Sequence, residues 1–475
     1  SPSRGLGDVY KRQGYHIWSY VETPHGLAEL NRSGVWRFNP RTLRLDSFLN
    51  ESAAGLNCWG TTWDDQGQMF HGSGADVPIW HTTPGLIPTL HPKPLPTALA
   101  HSRGKSMEPE ILESSHLPPD LQGVLLKSTF FTSQVQLYRL LPDGSSFRSE
   151  DLGDLIAGSK EFRPVETRVG PDGAIYIADW LNPVIGHYQA SYRDPRRDQS
   201  HGRIWRLTAS GRDLLPRPNL APLSASDLLT HLNSKERWER EIAKSRLYRL
   251  PDAEVKSALE NIDLSQASDA LLYELSGVYG AHEWPNVKIV KQLLASKDFR
   301  YRAWGAHLLC GWYEALPETR TLLHQAIRDP HPRVRMEAVV AYGWAPANRG
   351  AEAILEATEC LQQPMDVALD HALTQTLHAH AEAWKLAEPK INLNQRPEAL
   401  VRILVTLGQT SSLEKLRALA TQPTLSAESR HKLLLSLIRE GAAPDAAFAL
   451  QLEPNNRSLA EAWVETSRAH PTQDY

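Results

Sequence analysis

A change of texture at Gly211 constrains this chain more than any other feature. Before it, Gly and Pro interrupt every window long enough to carry a helix. After it, runs rich in Ala, Leu and Glu recur between short polar turns. One layer type cannot serve both patterns, so the 475 residues read as a β architecture followed by an α architecture.

The β half repeats itself. HIWSYV (16–21) and GVWRFNP (34–40) open it, and GLNCWGTTWDDQGQMFHGSG (55–74) and GVLLKSTFF (123–131) continue it. Trp36-Arg37-Phe38, Tyr138-Arg139-Leu140 and Trp205-Arg206-Leu207 each alternate aromatic, basic and apolar residues after a small-residue turn. Asp65-Gln66-Gly67, Asp143-Gly144 and Asp172-Gly173 supply turns, because Asp-Gly tolerates the left-handed backbone of a tight hairpin. Short, aromatic-rich, Gly-punctuated strands of this kind are the pattern of propeller blades, with a sandwich as the alternative. About three blades fit before residue 215, fewer than the four to eight of a closed ring. Residues 75–118, rich in Pro and His, read as a long connection without strands.

In the α half, SASDLLTHL (224–232) carries a Ser cap and apolar residues three and four apart. Arg300-Tyr301-Arg302 recurs as Arg333-Val334-Arg335, each opening an apolar helix after an Asp-containing turn. The pattern predicts about six helix pairs stacked as a solenoid. The expected fold is therefore multidomain β + α, a partial β-propeller over 14–212 followed by an α-helical HEAT-like solenoid over 216–460. Residues 461–475 read as a disordered or truncated tail. Residues 1–13, SPSRGLGDVYKRQ, resemble a translated adapter or assembly remnant, and the chain reads as a piece of something longer.

Charge excludes one class of partner. With 51 basic and 55 acidic side chains, the chain lacks the basic excess that tracks a nucleic-acid backbone. No apolar run reaches membrane-spanning length. The three cysteines form no CxxC pair, which excludes a zinc ribbon or an attached c-type haem motif within this segment.

Polar residues that could carry chemistry concentrate between Glu161 and Gly211. Asp179 falls where the strand AIYIAD ends, and His187 follows the Asn182-Pro183 turn. Arg193, Asp194, Arg196, Arg197, Asp198 and His201 crowd the next stretch. Three arrangements account for them. The first is a salt-bridged loop in which alternating Arg and Asp neutralise one another. The second is a pocket at a propeller mouth, where Arg163, Arg193 or Arg197 would hold an anionic group and His187 or His201 would accept a proton. The third is a divalent cation held by Asp179, Asp194 or Asp198, although the spacing matches no calcium-loop motif. Elsewhere, His71, His81, His91 and His101 recur every ten residues, but intervening prolines prevent a common helical face. His371 and His378 read as surface residues, and Cys58 as a small buried side chain.

FRPVETRVGPDGAIYIADWLNPVIGHYQASYRDPRRDQSHGRIWRLT, together with GLNCWGTTWDDQGQMF and HLPPDLQGVLLKSTFFTSQVQLYRL, resembles a family of large membrane-bound-dehydrogenase proteins. They are of planctomycete, verrucomicrobial and Bacteroidetes type and are related to the soluble glucose/sorbosone dehydrogenases. The resemblance covers about 15–212, and HEAT-like repeats usually follow in that family. It implies a periplasmic or otherwise extracytoplasmic quinoprotein-like oxidation of a carbohydrate or related alcohol. PQQ and calcium would serve the full-length protein, and haem c would sit in a C-terminal module absent from this segment. The resemblance supplies His187, His201 and Asp179 as catalytic candidates, Arg163, Arg193 and Arg197 as cofactor contacts, and Asp194 and Asp198 as metal ligands, without establishing a role for any. The alternative is a non-catalytic propeller-plus-solenoid scaffold that binds polysaccharide or, on the concave face of the solenoid, a protein.

Overall fold

The computed structural model describes residues 9–13, 19–30, 34–50, 58–73, 78–82, 98–101, 104–105, 107–185, 194–387, 396–408 and 413–469. Among them, sixteen strands form five small sheets, none closed, and sixteen α-helices follow. In the first sheet β4 (Gly34–Asn39) lies between β1 (Val9–Gln13) and β5 (Arg44–Asn50), while β2 (Ser19–Thr23) and β3 (Gly26–Leu30) form a separate hairpin. Three antiparallel meanders follow in chain order. They are β6 (Cys58–Trp63), β7 (Met69–Ser73), β8 (Pro78–His81) and β9 (Ala98–His101); then β10 (Pro109–Ile111), β11 (Val124–Thr129), β12 (Gln134–Asp143) and β13 (Ser146–Ala157); and finally β14 (Pro164–Val169), β15 (Ile175–Asp179) and β16 (Arg203–Leu207).

The middle meander is packed on both faces, and its sequence shows why. Side chains alternate across a strand. Leu125 accordingly joins Phe70, Ile79 and Tyr138 in the core shared with the preceding meander. Val124 and Leu126 join Val135, Ile175 and Ile177 in the core shared with the following one. Every residue of β11 is buried, as a strand covered on both faces requires.

Three expectations change. Residues 75–118 contain β8, β9 and β10, because a Pro can open a strand where no ladder N–H is required, as Pro78 does. Part of residues 1–13 belongs to the fold, since Val9–Gln13 pairs antiparallel with β4. The tail at 461–475 is helical through Ala469, with Leu459, Ala462 and Thr466 buried along one stripe.

The helices are α1 (Ala225–Thr230), α2 (Arg237–Leu247), α3 (Asp252–Glu260), α4 (Asp269–Ala281), α5 (Val287–Leu294), α6 (Phe299–Gly311), α7 (Thr319–Ala326), α8 (Pro332–Tyr342), α9 (Gly350–Ala357), α10 (Val367–Ala379), α11 (Ala381–Ala387), α12 (Pro397–Leu407), α13 (Leu413–Ala420), α14 (Ala427–Glu440), α15 (Ala443–Leu452) and α16 (Arg457–Ala469). Ser224, Ser268, Asn286, Asp298, Asp366 and Ser426 cap their helices by accepting backbone N–H groups. Alternate helices α2, α4, α6, α8, α10, α12 and α14 stack in a row. One arginine device recurs along it. Arg240 donates Nη1 to the carbonyls of Ser234 and Lys235, Arg302 to those of Ser296 and Lys297, and Arg335 to those of Asp329 and Pro330. Each spans the turn before its own helix and fixes the angle at which that helix enters the row.

The β region is seated on this row by its hairpin turns. Arg41, in the β4–β5 turn, bonds Tyr248 and pairs with Asp252, while Asn39 and Thr42 donate to Glu283 at 3.0 and 3.1 Å. In the β6–β7 turn Asp65 pairs with Arg240 at 2.6 Å. In the β12–β13 turn, the Ser145 N–H and Oγ donate to Asp366 at 2.8 and 2.5 Å. Gly67 has φ +80°, and a Cβ there would come within 2.3 Å of the Trp304 ring. Gly67→Ala therefore adds left-handed strain to a clash and is expected to cost about 2 kcal/mol. A lowered urea midpoint checks this; an unchanged midpoint would show that the turn does not rest on Trp304.

Candidate functional site

The polar stretch is built on the last meander. At the β14–β15 turn Gly173 has φ +80°, and Asp172 accepts from the Ala174 N–H and from Tyr176 Oη at 2.7 Å and pairs with Arg206. Burial pushes the Asp172 carboxyl up, but those donors outweigh it and hold it below the usual range.

Asp179 does lie at the end of β15, and it is filled. Its Oδ1 accepts from the backbone N–H groups of Arg163 and Leu181 at 2.8 and 2.9 Å, and its Oδ2 from Arg203 Nε and Trp205 Nε1, both at 2.9 Å. A carboxylate offers about four acceptor positions, so little remains for a ligand. Burial raises this carboxyl, and the Trp205 and backbone donors more than reverse it. Arg163 is equally engaged. It is buried, with Nε on the Asn182 carbonyl at 2.9 Å and Nη1 on the Phe130 carbonyl at 2.8 Å and Ser133 Oγ at 3.1 Å. It ties the last meander to the turn between β11 and β12.

The loop acids fold onto their own turns. Asp194 accepts three bonds from Arg196, at 3.0, 3.0 and 2.7 Å, and these hold its carboxyl down at about 2. Asp198 caps Ser200 and His201, and the Ser200 donors first, then those of His201, hold it down at about 2. His201 Nδ1 lies 2.9 Å from Asp198 on an exposed side chain, and the Arg197 N–H donates to the Asp194 carbonyl. His187 and Arg193 lie outside the described residues. The structure thus brings Arg163 and Asp179 together and leaves Asp194, Asp198 and His201 as exposed local turns.

The quinone and calcium that the resemblance implies do not fit these side chains. Arg163 spends Nε and Nη1 on carbonyls and a hydroxyl, and the Asp194 and Asp198 carboxylates each turn inward on a neighbour. Among the described residues no group of three or more His, Cys, Asp or Glu could hold a metal ion.

Sequence reasoning missed the seam. Along it, Arg240 and Lys244 meet Glu274 at 2.7 and 2.5 Å, Arg237 faces Glu113 at 3.5 Å, and Gln68 donates to Glu337 at 3.1 Å. Burial pushes the Glu113 carboxyl well above its usual range despite Arg237. The recurring Arg-X-Arg was the available signal, but it did not reveal that one Arg of the pair faces the β region. Of the histidines in the ten-residue series, His71 and His81 are fully buried, with His71 Nδ1 on Thr82 Oγ1 at 2.9 Å and His81 between Ser146 and Gln68 at 2.8 and 3.0 Å. His91 lies outside the described residues, as does the side chain of His101. His371 is buried in α10, not on the surface.

Residues 100–211 match the model of a family described as Domain of unknown function (DUF7133). That span covers the middle and last meanders and the polar loop, the same stretch that carries much of the resemblance. No curated protein matches the chain. Among the described residues no helix is long and apolar enough to cross a membrane.

Proposed function

We propose that this chain is framework for an extracytoplasmic quinoprotein-like dehydrogenase acting on a carbohydrate or related alcohol. Its meanders are consecutive propeller blades and its helices a HEAT-like solenoid that buttresses them. A haem module outside this segment would accept the electrons. The observation that carries the framework role is the state of the polar stretch: Asp179 and Arg163 are consumed in holding β14, β15 and β16 to the neighbouring meander. The serial packing of the meanders through opposite faces of β11 supports the blade reading. The redox reading rests on the resemblance.

A second reading, a scaffold binding polysaccharide or protein, is favoured by β16. It lies at the edge of its sheet with Ile204 77% exposed and, on the opposite face, Trp205 39% exposed, apolar surface of the kind partners use.

Reconstitution with PQQ and calcium tests the proposal. The isolated chain is expected to show neither a bound-quinone absorbance band nor sugar-dependent dye reduction, and the complete gene product is expected to show both. Dye reduction by the isolated chain would overturn the framework role. A complete product that neither binds quinone nor reduces dye would leave the scaffold.

A further inference from the structure

Arg333 is a buried cation with no carboxylate in contact among the described residues; Asp64, Glu337 and Asp366 act on its charge only from beyond 4.0 Å. It is 1% exposed at the start of α8, and no carboxylate oxygen lies within 4.0 Å of its guanidinium among the described residues. Nε donates to the Ser145 carbonyl at 3.1 Å and Nη2 to the Ser146 carbonyl at 2.6 Å. Its face covers Phe147 at 4.1 Å. Those contacts use two of five donors, and Nη1 has no hydrogen bond among the described residues. Buried charges are ordinarily paired, because removing an ion from water costs several kcal/mol.

This guanidinium lines a cavity of about 710 Å³ between the hairpin turns and the helix row. The volume falls within the roughly 300–1,000 Å³ of small-molecule sites. Lys235, Arg300 and Arg212 line it too, against Asp64, Asp65 and Glu113. Asp65 is held by Arg240 and Glu113 by Arg237, while Asp64, whose Oδ1 accepts from the N–H groups of Gln66 and Gln68, attracts Arg333 from beyond 4.0 Å. Lys235 is exposed and has no ion pair among the described residues, and Arg212 donates to a carbonyl rather than to an acid. Arg300 pairs with Asp298, so Arg333, Lys235 and Arg212 are the lining cations with no carboxylate in contact among the described residues. Phe147, Leu140 and Pro142 add an apolar wall.

We propose that this seam cavity binds a small polar molecule through an oxyanion held between Arg333 and Lys235. A ligand there would touch the β12–β13 turn and α8 together, so its binding would also tighten the seating of the β region on the helices. A carboxylate and a phosphate ester share this chemistry, and the test separates them.

Isothermal titration of the full chain with D-glucuronate, glucose 6-phosphate and glucose decides the matter. Binding of glucuronate alone assigns a carboxylate, binding of the phosphate ester alone assigns a phosphoryl group, and either supports the site. Glucose is expected not to bind at the same concentrations. Lys235→Glu, at the exposed edge, is expected to weaken the bound anion at least about tenfold, the effect of roughly 1.4 kcal/mol, with an unchanged unfolding midpoint. The proposal is overturned if neither anion binds, if glucose binds as well as the anions, or if Lys235→Glu binds like the native chain.

Discussion

Arg333→Met is expected to lower the unfolding free energy by about 3 kcal/mol. Two effects oppose each other. Removing a buried cation relieves a desolvation cost, which favours the variant, although Asp64, Glu337 and Asp366 then lose its longer-range attraction. Against it, the Ser145 and Ser146 carbonyls lose donors at 3.1 and 2.6 Å in a turn where water has little access. A buried acceptor left without a partner costs about 1–3 kcal/mol. The guanidinium also leaves Phe147, at 4.1 Å, and Phe299, at 5.5 Å, where a desolvated cation–π contact contributes about 2 kcal/mol. The losses win because the turn is also fixed by Asp366 and cannot retreat to find other donors. Urea unfolding followed by tryptophan fluorescence measures the change, and Arg333→Lys, which keeps the charge but not the fork, is expected to recover less than half of it. A loss below about 0.5 kcal/mol, the scatter of a neutral surface change, would show that Arg333 does not hold the turn.

Acid is expected to destabilise the β region through His71 before the carboxylates titrate. His71 is fully buried in β7, Nδ1 is bonded to Thr82, and Nε2 has no partner among the described residues. Burial pulls its pKa from 6.5 down to about 4. Above pH 6.5 both folded and unfolded chains carry a neutral imidazole, and the full stability is present. Between 6.5 and 4 the unfolded chain takes up a proton that the folded chain refuses, so stability falls with pH by about 3 kcal/mol. Below about 4 both states are protonated and the loss levels off. His81 adds in the same direction, held well below its usual value by burial and then by the Arg333 and His71 charges. Glu113, whose carboxyl is raised, acts oppositely, because the folded chain binds its proton first. Comparing the native chain with His71→Asn between pH 7 and pH 4 cancels the Glu113 contribution and most of that of His81, whose shift is set first by burial. The variant is expected to lose about 3 kcal/mol less over that range, and parallel pH profiles for the two proteins would refute the assignment.

Local chemistry was legible wherever it stayed local. Asp64–Gly67 and Asp172-Gly173 form turns with φ +80° at both glycines, and Ser224 caps the first helix. What misled was the composition of residues 75–118. Proline there suggested a connection, yet strand pairing is a property of the partner as much as of the segment, and β7 and β11 supply partners for β8 and β10. The polar loop misled in another way. Asp, Arg and His in one stretch look alike whether they face a ligand or one another, and only the distances around Asp179, Asp194 and Asp198 tell those cases apart.

The sequence by itself determined the two architectures, the change near Gly211, several turns and the starts of some helices. Those depend on φ preferences, side-chain period and capping, all set within a few residues. The tertiary structure alone decided that the hairpin turns sit on one helix row and that Asp179 and Arg163 act as struts. It alone left Arg333 buried beside a cavity with no carboxylate in contact among the described residues. These relations join residues as far apart as Ser145 and Arg333 or Asp65 and Arg240, and no local preference encodes which turn meets which helix. That pairing is fixed only when the apolar surfaces of both regions close into one core, as Val35, Trp63 and Met69 do with the helices.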